Sequence, residues 1–247
     1  RMAEAVESVW GPCEGLVITR YGYARPTRGI EIVEAAHPVP DAAGVAATGR
    51  MLDLLRGLGP QDFVLALISG GGSALLCAPA EGLTLADKQA VSAALLASGA
   101  PIDRMNTVRK HLSAVKGGQL AAAAYPARML ALVISDVPGD DLAFIASGPT
   151  VGDMSSVKDA LQVLEDWKVS VPAVVRARLA QGSGVLAPKD PRLTACETRI
   201  VAAPSQSLAA AAEMARAQGC AVEILGDALA GAARALGAAQ ARLALAR

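Results

Sequence analysis

The sequence has few aromatic residues, no excess charge and no long apolar run. Phe, Tyr and Trp make up 3% of its 247 residues, so the core must be built mainly from Ala, Val and Leu. That composition favours helices packed closely on a sheet over an aromatic-rich β-sandwich. The 23 basic residues balance 23 acidic ones, which argues against a nucleic-acid partner because no basic surplus is present to release counterions from phosphates.

The pattern of a membrane protein or a disulfide-rich secreted protein is also missing. No apolar run reaches the roughly 18 residues of a membrane span, and no signal-peptide pattern is present, so we predict no membrane partner. The four cysteines, at positions 13, 77, 196 and 220, form no C-x-x-C pair. We therefore expect reduced thiols in a cytoplasmic protein, without a zinc site.

Apolar, β-branched runs alternate with longer helical patterns along the chain. Strands are predicted at 15–19, 29–35, 62–69, 128–135, 198–203 and 221–225, and helices at 42–58, 84–98, 103–116, 156–167, 172–180, 205–218 and 228–246. Unbroken apolar strands separated by helices indicate a mostly parallel sheet with helices on both faces. We predict a doubly wound, Rossmann-like α/β fold over residues 1–247.

Local signals at helix ends support this reading. Thr84 and Asp87 form a capping-box pattern, Gly99 closes the same helix, and Asp41 caps the helix after 42. The helical patterns at both ends of the chain begin or stop without a cap, so we expect the chain to be one domain of a longer protein.

A glycine loop, residues 69–73, follows the predicted strand 62–69. Its sequence is Ser69-Gly70-Gly71-Gly72-Ser73, and in open α/β sheets ligands bind beyond the carboxyl ends of the strands. Glycines expose backbone N–H groups without shielding from a Cβ, which suits phosphate. The alternative is a tight turn whose glycines serve close packing. Three glycines between two hydroxyl residues favour the phosphate interpretation.

Carboxylates follow a second predicted strand, at Asp136, Asp140 and Asp141. Mg²⁺ takes oxygen ligands, keeps several waters and needs only one or two carboxylates beside a phosphate. We therefore interpret Asp136, with help from Asp140, as a metal site. The alternative is that Asp140 or Asp141 caps a following helix.

The predicted helix at 103–116 carries a dense polar face. Asn106, Arg109, Lys110 and Ser113 share that face at i, i+3, i+4 and i+7, and Lys116 follows. A bidentate arginine suits a substrate carboxylate, whereas the alternative is an ordinary solvated surface.

The sequence has two histidines, His37 and His111. Either is a candidate for proton transfer, but isolated histidines are more often structural.

Two common nucleotide motifs are missing from the sequence. It has no G-x-x-x-x-G-K-[ST], and its one G-x-G-x-x-[GA] match, at residues 182–187, follows a predicted helix and runs into Pro188. The strand-turn-helix context of a dinucleotide fingerprint is therefore missing.

Four longer motifs together resemble the class II glycerate 2-kinases, whose members are also often labelled hydroxypyruvate reductases. They are "AHPVPD" (36–41), "LISGGGSALL" (67–76), "NTVRKHLSAVKGGQLA" (106–121) and "ISDVPGDDLAFIASGPT" (134–150). The resemblance implies ATP-dependent, Mg²⁺-assisted phosphorylation of D-glycerate, a small hydroxy acid, to 2-phosphoglycerate. It also implies a two-domain enzyme, of which this chain would lack the first strand and a smaller C-terminal domain.

Combined with the resemblance, the residue patterns give one set of expected roles. Arg109 and Lys110 are the expected catalytic residues, and Arg109, Asn106 and His37 the expected substrate-binding residues. ATP phosphates are assigned to Ser69, Gly70, Gly71, Gly72 and Ser73, and Mg²⁺ to Asp136 and Asp140. An NAD(P)H-dependent hydroxypyruvate reductase and a non-catalytic sugar-phosphate- or effector-binding domain remain alternatives. A homodimer is a further expectation.

Overall fold

Five parallel strands form the sheets of this chain in a computed structural model that describes residues 1–229 and 231–246. Strand β1 (Gly15–Arg20) pairs with β2 (Ile30–Ala35). Strands β3 (Phe63–Ile68), β4 (Arg128–Ile134) and β5 (Cys196–Ala202) form a second sheet in the order β3-β4-β5. Every ladder is parallel. The predicted parallel α/β architecture is confirmed.

Ten α-helices surround the strands in the described part of the chain. They are α1 Met2–Trp10, α2 Ala42–Leu55, α3 Gly72–Leu75, α4 Leu85–Ser98, α5 Ile102–His111, α6 Gln119–Ala124, α7 Val157–Asp166, α8 Ala173–Ala180, α9 Pro204–Ala217 and α10 Ala233–Leu245. Two single-turn 3₁₀ helices cover Ile145–Ser147 and Pro191–Leu193. None of these helices is both long and apolar enough to cross a membrane.

The predicted helix caps are present. Thr84 and Asp87 form a reciprocal capping box at the start of α4, and Gly99 ends that helix in the left-handed conformation. The Asp41 carboxylate accepts from the N–H of Gly44 at the start of α2. These contacts satisfy N–H groups that a helix end leaves unpaired, so local sequence fixes where the two helices begin.

Small and medium aliphatic side chains form two separate cores. The larger core lies among α4, α5, α7 and α8, and its least exposed members include Leu95, Val108 and Leu164. The smaller core packs α2 and α6 against β3 and β4, around Leu55 and Ala124. The many alanines let helices approach closely, which replaces the bulk that aromatic residues supply in other cores.

The order of the strands reverses at a cavity between β1 and β3. Both strands line this cavity of about 790 Å³, and each of them has a strand neighbour on only one side within the described residues. The chain winds away from the cavity in one direction through β1 and β2 and in the other through β3, β4 and β5. Such a reversal is where doubly wound folds place their ligands.

Two predicted elements are wrong. Residues 221–225 form no strand, since Ile224 and Leu225 stay about half exposed and pair with no neighbour in a sheet. The predicted helix 103–116 ends at His111, because the backbone beyond it bonds elsewhere: Ser113 bridges to Pro79 and the N–H of Ala114 donates to Ala78. The face predicted to run from Asn106 to Lys116 therefore does not exist as one helical surface.

Candidate functional site

The glycine loop, residues 69–73, borders the cavity at the carboxyl end of β3. Ser69, Gly70, Gly71 and Gly72 line the cavity together with His37, which follows β2. The loop therefore lies at the point where the strand order reverses. Its predicted position at a strand exit is confirmed.

The loop turns sharply into a short helix and leaves its amides unpaired. Gly71 adopts φ 84°, a left-handed conformation that glycine reaches without strain, and α3 starts at Gly72. The N–H groups of Ala74 and Leu75 donate to the carbonyl of Gly71. By contrast, the N–H groups of Gly70, Gly71 and Gly72 meet no acceptor within residues 1–229 and 231–246. Backbone donors left unpaired in this way are suited to an anion.

Each of the three glycines also lies against another segment of the chain. A Cβ on Gly70 would collide with the carboxylate of Asp136, and one on Gly71 would lie 3.2 Å from Cδ2 of His37. A Cβ on Gly72 would lie 2.6 Å from Cβ of Ala146. Close packing thus explains why side chains are missing here. It does not explain the free amides, so the packing interpretation accounts for only part of the loop.

The structure brings one of the three carboxylates after β4 to the glycine loop. Asp136 is exposed and lies against Gly70. Asp140 is half-buried, and its Oδ1 is enclosed without a hydrogen-bond partner in the described residues. Asp141 instead accepts from the N–H of Ala143 and so has a structural contact.

Asp136 and Asp140 could supply part of a Mg²⁺ coordination shell, but not all of it. An enclosed carboxylate oxygen without a partner is an available ligand, and Mg²⁺ bound through one or two carboxylates takes its other ligands from water and phosphate. Among residues 1–229 and 231–246 no three His, Cys, Asp or Glu side chains converge into a complete cage. The residues therefore suit a metal that arrives with phosphate better than a resident one.

The cationic residues of α5 separate into two groups. Nε of Arg109 is buried without a partner, while its Nη1 lies 3.5 Å from Oδ1 of the buried Asn106. Burial lowers the pKa of Arg109 from its usual value. Lys110 instead forms a buried ion pair with Asp153, and its ammonium lies 5.0 Å from the ring centroid of Phe144. Because Lys110 is already neutralised inside the chain, it is a poor candidate for a substrate cation.

His111 is held as a structural histidine. Its Nδ1 lies 2.7 Å from Oγ of Ser183 and its Nε2 lies 3.1 Å from Oγ of Ser155. Desolvation lowers the pKa of the ring, which favours the neutral form. Both nitrogens are occupied, so His111 is unavailable for proton transfer.

Two residues near the loop were not assigned from sequence. Lys116 is almost fully buried, and its Nζ donates to the carbonyl oxygen of Ser73 at 2.9 Å. The hydroxyl of Ser147, also buried, lies 2.9 Å from that of Ser73. The sequence signal for Lys116 was the Lys-Gly-Gly break after α5, where a charged residue sits in an otherwise apolar turn.

Comparison with known proteins gives one family and several named relatives. The model of the domain of unknown function DUF4147 matches residues 1–180. A putative hydroxypyruvate reductase from Agrobacterium vitis is 52% identical over 99% of this chain and 56% of its own length. A D-glycerate 2-kinase from Thermotoga maritima is 47% identical over 73% of this chain and 44% of its own length.

A solved structure agrees with the sequence comparison. The crystal structure of a glycerate kinase from Thermotoga maritima superposes with a TM-score of 0.82 at 42% identity, covering 91% of this chain and 54% of the other. The chain therefore spans about half the length of the relatives it matches.

Proposed function

The chain belongs to the DUF4147 domain family, and from this premise we propose that it is the nucleotide-binding part of a glycerate 2-kinase. The reaction transfers the γ-phosphoryl group of ATP to the 2-hydroxyl of D-glycerate. The bond from the γ-phosphorus to the β,γ-bridging oxygen breaks, a bond to the substrate oxygen forms, ADP leaves with the electron pair, and the hydroxyl proton is released.

The unpaired amides of the glycine loop are the observation that supports this function most strongly. Gly70, Gly71 and Gly72 offer N–H groups without an internal acceptor beside a cavity at the strand-order reversal. Phosphoryl transfer requires mainly positioning and charge stabilisation, which fixed backbone donors provide without reorganisation. In this proposal the three amides bind the phosphate oxygens, and the hydroxyls of Ser69 and Ser73 adjoin them.

The other predicted site residues have complementary proposed roles. Asp136 and Asp140 would hold Mg²⁺, which neutralises charge on the phosphate oxygens when bound. Arg109, with a buried and unpaired Nε, would bind the carboxylate of glycerate or the transferring phosphoryl group. His37, which contacts the loop at Gly71, and Asn106 would orient the substrate. Lys110 is not carried into this set, because Asp153 already neutralises it.

We also propose that the chain is one α/β unit of a longer enzyme. The curated relatives are about twice as long as the part they share with it. The facing edges of β1 and β3, which line one cavity, suit a further parallel strand between them. A smaller C-terminal domain would close the cleft over the substrate. A cytoplasmic location and a homodimer are further predictions of this proposal.

A glycine substitution tests the function. Val at position 71 cannot adopt φ 84° without strain and would approach His37, so Gly71→Val in the complete enzyme should abolish glycerate-dependent ADP release. Gly82→Val is the matched control. Gly82 has φ 79° with open space around its Cβ position, so it introduces similar backbone strain away from the loop. Unchanged turnover in Gly71→Val would remove the loop from the mechanism.

The name of the Agrobacterium relative supports a hydroxypyruvate reductase as the second candidate. A reductase needs a nicotinamide site, yet the G-x-G-x-x-[GA] match at 182–187 follows α8 and enters no helix, which is the wrong context for a dinucleotide. A coupled assay separates the two activities. Glycerate-dependent ADP release supports the kinase, and hydroxypyruvate-dependent loss of NADH absorbance supports the reductase.

A non-catalytic sugar-phosphate-binding domain would use the glycine loop and Arg109 without metal chemistry. Calorimetry distinguishes this alternative from the kinase. The kinase predicts that Mg²⁺ tightens ATP binding, whereas affinity for ATP that is independent of Mg²⁺ favours the binding domain.

A further inference from the structure

We propose that Lys116 is a positioning residue of the nucleotide site: it fixes the glycine loop to the turn at 145–148 and supplies a buried positive charge beside the phosphate-binding amides. This inference rests on the proposed function and extends it to a residue outside the loop, the carboxylates and Arg109.

The first support is the pair of contacts that the ammonium group makes. Nζ of Lys116 donates to the carbonyl oxygen of Ser73 at 2.9 Å and to that of Ala146 at 3.4 Å. These acceptors belong to two segments that are far apart in sequence, one in the glycine loop and one in the turn after β4. One side chain thus joins the glycine loop to the turn at 145–148.

The second support is that the same two segments meet directly beside Lys116. The hydroxyls of Ser73 and Ser147 lie 2.9 Å apart, and Gly72 packs so closely on Ala146 that no Cβ fits there. The backbone following Lys116 holds the other side of the turn, since the N–H groups of Gly117 and Gly118 donate to the carbonyls of Ser147 and Gly148. The loop, the turn and residues 116–118 therefore form one connected unit.

The third support is the conformation of the turn. Ala146 and Ser147 have φ of 51° and 65°, although neither is glycine. Such residues persist only where surrounding contacts over-determine the backbone, and they cluster at functional sites. The bond from Lys116 to the carbonyl of Ala146 is one of those contacts.

The fourth support is charge. Within residues 1–229 and 231–246 no carboxylate pairs with Lys116, and its hydrogen-bond acceptors are carbonyls. Its charged neighbours are Lys88 on α4 and Arg109 and Lys110 on α5, with the Cys77 thiol after α3. Desolvation, with these cations, lowers the pKa of Lys116 to about 7. A bound polyanion would relieve this excess of buried positive charge, so a phosphate and Lys116 stabilise one another.

Binding of Mg²⁺-ATP to the complete enzyme, measured by calorimetry, tests the charge. Lys116→Met should weaken ATP binding at least about tenfold, and Lys116→Arg should restore most of the affinity. Wild-type affinity should fall as pH rises above about 7, because Lys116 then loses its proton before ATP binds. The affinity of Lys116→Arg should fall less over the same range. The titration of ATP itself affects both proteins equally, so it cancels when the pH dependence of the Lys116→Arg affinity is subtracted from that of wild type.

Lys110→Met is the matched control, since it removes another buried lysine six positions away whose ammonium is bound to Asp153. It should lower stability while leaving ATP affinity within about threefold of wild type. Wild-type affinity in Lys116→Met, or equal losses of affinity in the two variants, would overturn the proposal. If Lys116→Met does not fold, the comparison of pH profiles between wild type and Lys116→Arg decides, and identical profiles would also overturn it.

Hydrogen exchange without nucleotide separates this inference from the proposed function. Lys116→Met, or Lys116→Gln if the first variant is unstable, should speed exchange at the amides of residues 70–73 and 145–148, and Lys110→Met should not. If wild type binds no ATP, the proposed function fails, and this measurement still tests the link between the two segments. Unchanged exchange there in the Lys116 variants would contradict the positioning role.

Discussion

Lys110 and Lys116 lie six residues apart, and both are buried, yet their surroundings differ. Lys110 pairs with Asp153, and beside it His111 is bonded through both ring nitrogens. Around Lys116 the cationic groups have no carboxylate partner in the described residues: Lys116 donates only to carbonyl oxygens, and Nε of Arg109 has no partner. The N–H groups of Gly70, Gly71 and Gly72 have no acceptor there either. Buried polar groups are normally satisfied, because leaving one unpaired costs free energy. The contrast supports the proposal that an anionic ligand balances the charge around Lys116, whereas the charge of Lys110 is balanced within the chain.

Breaking the buried ion pair between Lys110 and Asp153 should have the largest effect on stability. Asp153→Asn leaves the Lys110 ammonium buried without its counter-charge, so the free energy of unfolding should fall by about 3 kcal/mol in urea denaturation. Replacing both partners, in Lys110→Met/Asp153→Leu, should recover most of that loss, since no buried charge then remains. ATP affinity should be unchanged in the double variant. A double variant that is as unstable as Asp153→Asn would show that the loss of stability does not come from the unpaired charge of Lys110.

Removing the charge of Lys116 should change how the free energy of unfolding depends on pH. The pKa of Lys116 is lowered to about 7 in the folded protein and is ordinary, near 10.5, in the unfolded chain. Between these values the unfolded chain binds the extra proton, so wild-type stability should rise with pH relative to Lys116→Met, by about 1 kcal/mol per pH unit. Below about pH 7 the difference should level off. Denaturation of both proteins from pH 6 to about pH 9 measures it, and parallel curves would contradict the lowered pKa.

Arg109→Met should separate stability from binding. Because Nε of Arg109 is buried without a partner, removing the guanidinium should change the free energy of unfolding by less than about 1 kcal/mol. Activity should nevertheless fall by about a hundredfold or more if Arg109 contacts the substrate or the transferring phosphoryl group. Thermal denaturation and steady-state kinetics on the same variant give both values. A large loss of stability with normal kinetics would show that Arg109, like Lys110, has a structural role and does not bind the substrate.

The smallest predicted effect concerns the strands. β4 has a paired strand on each side, whereas β1 and β3 each lack a neighbour on the side facing the cavity in the described residues. Amides of this chain by itself should therefore exchange faster in β1 and β3 than in β4. In the complete enzyme the proposed additional strand should protect them. Equal protection of β1 and β3 in both proteins would argue against a strand in the cavity.

The sequence predicted where the glycine loop lies, but not where the helix that carries Arg109 ends. The apolar run before Ser69 and the three glycines after it are local signals, so the loop at the exit of β3 followed directly from them. Lys110 was predicted to contact the substrate, whereas in the structure it pairs with Asp153. Ser113 was misplaced because the helical pattern was extended to residue 116, whereas the backbone leaves the helix after His111 to bond with Ala78 and Pro79.

Contacts between segments that are distant in the chain could not be predicted from the sequence. The bonds of Lys116 to Ser73 and Ala146 join segments that are distant in the chain, and no local pattern encodes them. The same holds for Asp153, whose role depends on tertiary packing beside Lys110. The strand predicted at 221–225 was wrong for a related reason. Its apolar pattern suits a strand, but in the described structure no neighbouring element buries Ile224 and Leu225.

The most direct test is a crystal structure of the complete enzyme with Mg²⁺ and a non-hydrolysable ATP analogue. We predict phosphate oxygens within hydrogen-bond distance of the N–H groups of Gly70, Gly71 and Gly72, with the metal beside Asp136. Phosphates bound elsewhere, with these three amides still unpaired or blocked by another segment, would contradict the proposed role of the loop.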